Sequence, residues 1–254
     1  MLYLNARYLP SSTPQDVPCT EDNLHLREIK MPFHTGECAL ILVDVWNAHY
    51  IESLTSRQNQ IIQEVIVPVL GAARRAGIVV IHAPGPDVAK SEHIPQPSWF
   101  LPGWPPVPFC NREKEYVIYR PPPVQQPHYI TRWEPIRQTL AIHPLVKPLP
   151  EEPILASGTE LHYRLLERRV LHLFYVGFAT NMCILERTYG IRRMSQAGYN
   201  TILIRDATTA VESADTIDGM LATKMAIREV EHRHGFTVAS ADFIAACNRD
   251  AGET

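Results

Sequence analysis

Two residues stand where chemistry is commonly placed. Cys183 lies in GFATNMCILERTY (177–189), where an apolar run, VLHLFYV, hands over to a segment of helical spacing. A helix N-terminus lowers the pKa of a thiol and so suits a nucleophile. A buried structural cysteine is the plainer alternative, since free cysteine is among the most buried residue types. Asp44 directly follows a second apolar run, ALILV (39–43). An acid and a cysteine at two strand ends of one sheet converge in one cleft, where the acid can act as base. Asp44 could otherwise cap a turn. The other four cysteines form no CxxC pair and the eleven histidines no HExxH pattern. Neither a disulfide framework nor a zinc site is indicated.

Positioning these two groups requires a sheet. ALILV and IVVIH (78–82) are apolar throughout rather than alternating, as in strands covered on both faces. EPILAS (152–157), VLHLFYVG (170–177), YNTILIRDA (199–207) and FTVAS (236–240) extend the series to six strands. Helical segments are expected over 56–77, 159–169, 182–198, 216–235 and from 241, with a kink at Pro68, Thr159 as a cap and Ser240 as another. Strands alternating with helices predict a parallel sheet, in a three-layer α/β/α doubly wound domain. Asp206 ends the fifth strand and reads as structural. Residues 1–37 read as an irregular, polar N-terminal arm, and 38–254 as the domain. An excursion over about 84–150 holds most of the 22 prolines, with PPVP (105–108) and PPP (121–123), and Trp99, Trp104 and Trp133. Such long loops are functional lids or interface pieces.

The 254 residues are 45% hydrophobic with a net charge of −3, which gives no basic surface for nucleic acid. No apolar run approaches the roughly 20 residues of a membrane helix, and no secretory signal opens the chain. The cysteine usage suits a reducing, cytoplasmic setting.

VDVWNAHY (43–50) resembles the VDMQNDF motif of the isochorismatase-like cysteine hydrolases. GFATNMC, a helix and then AGYNTILIRDATTA resemble that family's GxxTxxCV…GyxvxvvxDA signature. The resemblance spans 39–82 and 152–247 and takes in nicotinamidases, N-carbamoylsarcosine amidases, related amidohydrolases and isochorismatases. It implies an isochorismatase-like fold and a cysteine hydrolase of a small amide or ureido C–N bond. A thioester would form and ammonia or an amine would leave. Cys183 matches the nucleophile and Asp44 the acid that takes its proton. The Ala179–Thr180 peptide falls at the family's cis bond, with the N–H groups of Thr180 and Cys183 as oxyanion donors. No cofactor and no catalytic metal are expected, because the Asp-x-His pair of the metal-binding relatives is absent although His49 and His82 are present. Family members are commonly homo-oligomers.

The family's catalytic lysine slot falls on Ala156 or Ser157. Lys147 is the nearest lysine before the cysteine, and Arg120, Arg132 and Arg187 are alternative cations. An arginine there would act only as a fixed charge. Trp46, Asn47, His49, Phe178, Asn181 and Tyr189 flank the motifs and are expected to line the substrate pocket, although the two asparagines could equally cap turns. Alternative functions are vinyl-ether hydrolysis of the isochorismatase kind, and a catalytically silent oligomeric scaffold or binding module.

Overall fold

The computed structural model of the protein describes residues 1–89 and 127–252. Its core is a seven-stranded sheet in the order β2-β1-β7-β6-β5-β3-β4. The strands are β1 Leu2–Tyr8, β2 Arg27–Phe33, β3 Cys38–Val43, β4 Val79–Ala83, β5 His172–Phe178, β6 Asn200–Thr209 and β7 Gly235–Val238. β3 to β7 pair in parallel. β1 and β2 form an antiparallel hairpin, which joins β7 through the pair Arg7↔Thr237.

The helices are α1 Glu52–Ile61, α2 Val67–Arg75, α3 Pro86–Ala89, α4 Pro127–Thr139, α5 Gly158–Glu167, α6 Cys183–Glu186, α7 Ile191–Gln196, α8 Leu221–Glu229 and α9 Ser240–Asp250. They cover both sheet faces, so each central strand feeds two cores. Leu40 and Leu42 of β3 pack with α2 and Phe243 of α9, while Ala39, Ile41 and Val43 pack with α5 to α8. This two-sided burial is why β3 is apolar at every position.

Two strand expectations change. The first 37 residues are not irregular throughout: LYLNARY alternates, and Leu2, Leu4 and Ala6 are buried in the core. Conversely, 152–157 contributes only the bridge Ile154↔His82 beside β4. Pro153 cannot donate to a ladder, and Ser157 already caps α5 in a capping box with Glu160. Seven strands result rather than six, and the cap is Ser157 rather than Thr159. The long helix expected at 56–77 widens into a π-helical turn, Ile62–Ile66, just before Pro68, whose missing N–H interrupts the bond ladder. The segment 182–198 is broken in two at Arg187–Gly190. A Cβ on Gly190 would lie 2.8–2.9 Å from the carbonyls of Ile184, Leu185 and Arg187. Ser240 is itself capped: its N–H and hydroxyl both donate to Asp206, at 2.9 and 2.5 Å, which gives that acid a structural task.

Candidate active site

β3 and β5 are neighbours in register, with Val43 opposite Gly177. The residues leaving these two strands therefore emerge side by side at the carboxyl edge of the sheet, where α/β folds place ligands. The approach depends on glycine, since a Cβ on Gly177 would lie 2.0 Å from Val43 O, and φ there is +115°. Asp44 turns off β3 with a positive φ of 46°, anchored by its N–H to Ala83 O at 3.1 Å. The residue is 2% exposed.

Three groups address the buried carboxylate. Arg187 Nη2 and Nε donate to Asp44 Oδ2 at 2.8 and 3.1 Å. Tyr189 OH donates to Oδ1 at 3.3 Å. The Cys183 thiol, the third group, donates a fourth hydrogen bond. Burial nevertheless holds the Asp44 carboxyl above its ordinary range, against the opposing pull of Arg187 and the hydrogen bonds. Burial, and next the charge of Asp44, push the Cys183 thiol up to about 12, while Arg187 and the backbone of Ala179 act the other way. The helix-end effect does not prevail, because α6 is a single four-residue turn. In the resting site the thiol keeps its proton.

The cis peptide bond is Phe178–Ala179, one bond before the position expected from the sequence. The Ala179 carbonyl instead starts the cysteine turn, accepting from Met182 N at 3.1 Å and Ile184 N at 3.2 Å. Thr180 does not offer its N–H to a substrate, because that group donates to Thr209 O at 3.0 Å. Its hydroxyl pairs with Thr208 at 2.7 Å, and Arg57 holds Thr209 Oγ1 at 2.8 Å. Thr180 thus ties the turn to β6. Among the described residues the Cys183 N–H meets no acceptor.

Lys147 is exposed and makes no contact with Asp44 or Cys183 among the described residues; its carbonyl accepts from Arg74 Nη2 at 3.0 Å. The cation on Asp44 is Arg187, which the break after α6 turns back toward the carboxylate. Arg132 is exposed, and Arg120 lies outside the described residues, as do Trp99, Trp104 and both proline runs.

The expected pocket residues separate. Tyr189 is 1% exposed and serves Asp44 from below, its own carbonyl held by Tyr175 OH at 2.9 Å. Phe178 is 2% exposed and belongs to the core. Asn47 accepts from Ala141 N at 2.9 Å and donates to Thr139 O at 3.1 Å, closing the end of α4. Asn181 clips both amide groups to the backbone of Val211. Trp46 donates to Pro84 O at 2.7 Å and joins His49, Tyr50 and Trp133 in an aromatic cluster with ring centroids 4.4–6.0 Å apart. Burial lowers His49 to about 4, and its Nδ1 accepts from Ile51 N, so the proton of the neutral ring is on Nε2. His82 is held elsewhere, between β4 and Glu152 at 3.0 Å, with Arg74 forked on the same carboxylate. Among the described residues no three His, Cys, Asp or Glu side chains are grouped to hold a metal ion.

One more residue belongs to the site. Gly85, with φ +83°, lies against the ion pair: a Cβ there would be 3.1 Å from Arg187 Nη2 and 3.4 Å from Asp44 Oδ1. Its only sequence signal was its place just after the second strand, in HAPGPD.

The isochorismatase domain model matches residues 38–232. A cysteine hydrolase of Pseudomonas syringae superposes with a TM-score of 0.56 at 19% identity, over 87% of this chain and 96% of that one. An isochorismatase of Pseudomonas putida superposes with a TM-score of 0.50 at 19% identity, over 83% and 92%. Likeness at this identity concerns the fold. No curated protein matches the chain. The family match covers most of the length and includes both strand ends that carry Asp44 and Cys183, and the chain belongs to the isochorismatase family of hydrolases.

Proposed function

We propose that the protein hydrolyses a small amide or ureido compound through a thioester on Cys183. The observation that carries this reading is the contact of the thiol with Asp44, whose carboxylate is held from the far side by a cation that cannot lose its proton. Asp44 takes the thiol proton as sulfur attacks the substrate carbonyl carbon. The carbonyl oxygen becomes the oxyanion, with the Cys183 N–H as a donor in reach of the turn. Collapse breaks the C–N bond, and protonated Asp44 gives its proton to the departing nitrogen. Water then attacks the thioester and yields its proton to Asp44. Sulfur leaves, is reprotonated by Asp44, and the acid product departs. Asp44 is the sole shuttle, since an arginine retains its proton throughout. Arg187 steadies the negative charge as it moves between carboxylate and sulfur, a pre-set electrostatic contribution.

The test is ammonia or amine release across a panel of amides and ureido compounds, with Cys183→Ala as the control. Release that disappears in the variant supports the route. Release that survives it, or turnover of a vinyl ether alone, overturns it. No release from any compound of the panel favours a silent binding module.

A further inference from the structure

We infer that Arg57 and Thr223 are positioning residues for Cys183, acting through a chain of hydrogen bonds that runs Arg57–Thr209–Thr223–Glu212. The inference rests on the hydrolase reading only for its kinetic readout. The sheet is weak at one place. β6 keeps register with β5 as far as Leu203, opposite Tyr175, and regains it at Thr208, opposite Gly177. Residues 204–207 of β6 thus stand against Val176 alone, so the ladder by itself does not fix where 208–211 lies. Yet the cysteine turn is fastened to that stretch. Thr180 N–H donates to Thr209 O, its hydroxyl pairs with that of Thr208, and the Asn181 amide makes two hydrogen bonds with the backbone of Val211.

Two helices hold 208–211 in place. From α1, Arg57 Nε donates to Thr209 Oγ1 at 2.8 Å and Nη2 to Ala210 O at 3.1 Å. From α8, Thr223 Oγ1 accepts from Ala210 N at 2.9 Å and lies 3.5 Å from Thr209 Oγ1. Glu212 closes the chain, accepting from the N–H and hydroxyl of Thr223 at 2.9 and 2.7 Å and from Ala222 N at 3.0 Å. Burial raises the Glu212 carboxyl, but the hydrogen bonds from Thr216, Thr223 and Ala222 prevail and hold it below its ordinary range. The direction of donation is forced. A guanidinium only donates and an ionised carboxylate only accepts. Thr223 gives its hydroxyl proton to Glu212, so Thr209 must give its own to Thr223. Both threonines are buried, and each hydroxyl both accepts and donates. A buried chain satisfied in this way holds a single geometry. α1 is also the first helix after Asp44, so Arg57 ties the limb that carries the acid to the limb that carries the thiol.

Three variants test the chain. Thr223→Val keeps the size and removes the hydroxyl, Thr223→Ser keeps the hydroxyl, and Arg57→Met removes the donor. Each is read by steady-state kinetics on a hydrolysed amide, iodoacetamide labelling of Cys183 at pH 8, and thermal melts. Thr223→Val and Arg57→Met should each lower kcat by roughly ten- to a hundredfold with KM little changed, since a displacement of about 1 Å costs up to that much. Labelling should rise by roughly threefold or more, because the Asp44 charge that holds the thiol proton is then further away. Thr223→Ser should restore both, and the double variant should lose no more than either single one, as members of one network do. Unchanged kcat and labelling, equal losses in Thr223→Ser, or additive losses in the double variant overturn the inference. Should Thr223→Val fail to melt cooperatively, Arg57→Met, at the half-buried end of the chain, decides. A wild type that hydrolyses nothing sinks the hydrolase reading, and labelling then tests the chain by itself.

Discussion

Arg187 sets two nitrogens on a single oxygen of Asp44, at 2.8 and 3.1 Å, and leaves the other oxygen to Tyr189. The surroundings and the direction of the Asp44 carboxylate are thus set by two residues of the short segment that breaks the helix after Cys183.

Replacing Asp44 by Asn should remove the proton acceptor and keep the shape. General-base catalysis contributes about 10²–10⁴-fold, and kcat should fall by that order. KM should change little. Steady-state kinetics on any hydrolysed amide checks this.

Arg187→Met should cost stability, because it strips a buried carboxylate of its charged partner, and hydrogen bonds to charged groups are worth about 1.5–3 kcal/mol. The sign with pH follows from Asp44. Its folded pKa is raised, and removing Arg187, which lowers it, raises it further. The folded variant then holds the proton more readily than the unfolded chain, so it regains stability as pH falls toward that pKa. Urea unfolding at pH 7.5 and pH 5 should show a smaller deficit at the lower pH.

Activity should have an acid limb belonging to Asp44. The carboxylate must be ionised to accept the thiol proton, so kcat/KM should fall as pH drops through a value above the ordinary 3.9 or so. The thiol, pushed up to about 12, should show no plateau in alkylation near the usual value of about 8.5. Iodoacetamide labelling of the Cys183 peptide, followed by mass spectrometry to pH 10, reads this directly.

Acid should also weaken the fold through His49. Its folded value of about 4 lies below the unfolded one, so the unfolded chain binds the extra proton. Stability is then lost as pH falls from about 6.5 toward 4, with a slope of up to about 1.4 kcal/mol per pH unit for one proton. His49→Gln should flatten that part of the pH–stability curve.

Gly85→Ala should disturb the ion pair from above. The residue has a positive φ, and the added carbon presses on Arg187 Nη2. Strain of this kind costs about 1 kcal/mol or more. A loss of roughly tenfold in kcat, about 1.4 kcal/mol, is expected to accompany it.

Asp44 and Cys183 could be found in the sequence because each terminates a run that is apolar at every position, and strand ends of a parallel sheet share an edge. The cation was harder. Arg187 stood among the candidates by its spacing from Cys183, but only the break at Gly190 shows that it turns toward Asp44. Lys147 had the family's spacing without the path, since Ser157 and Pro153 keep its segment from forming a strand. The hairpin β1–β2 was hidden by the prolines and charges around it, although Leu2, Leu4 and Ala6 carry the period of two. The roles of Asn47, Asn181 and Thr180 depend on partners at 139, 211 and 209, and pairings of that range leave no local mark.

The chain leaves the sheet at Ala83 and is stitched back on at Asn47, with His143 N on Val45 O at 2.9 Å and Trp46 bridged to Ile142. Both ends of the excursion are thereby pinned beside Asp44 whatever lies between them. The backbone just after Asp44 is therefore clamped by main-chain bonds to 141–143, so the direction in which the chain leaves β3 does not depend on the side-chain partners of Asp44.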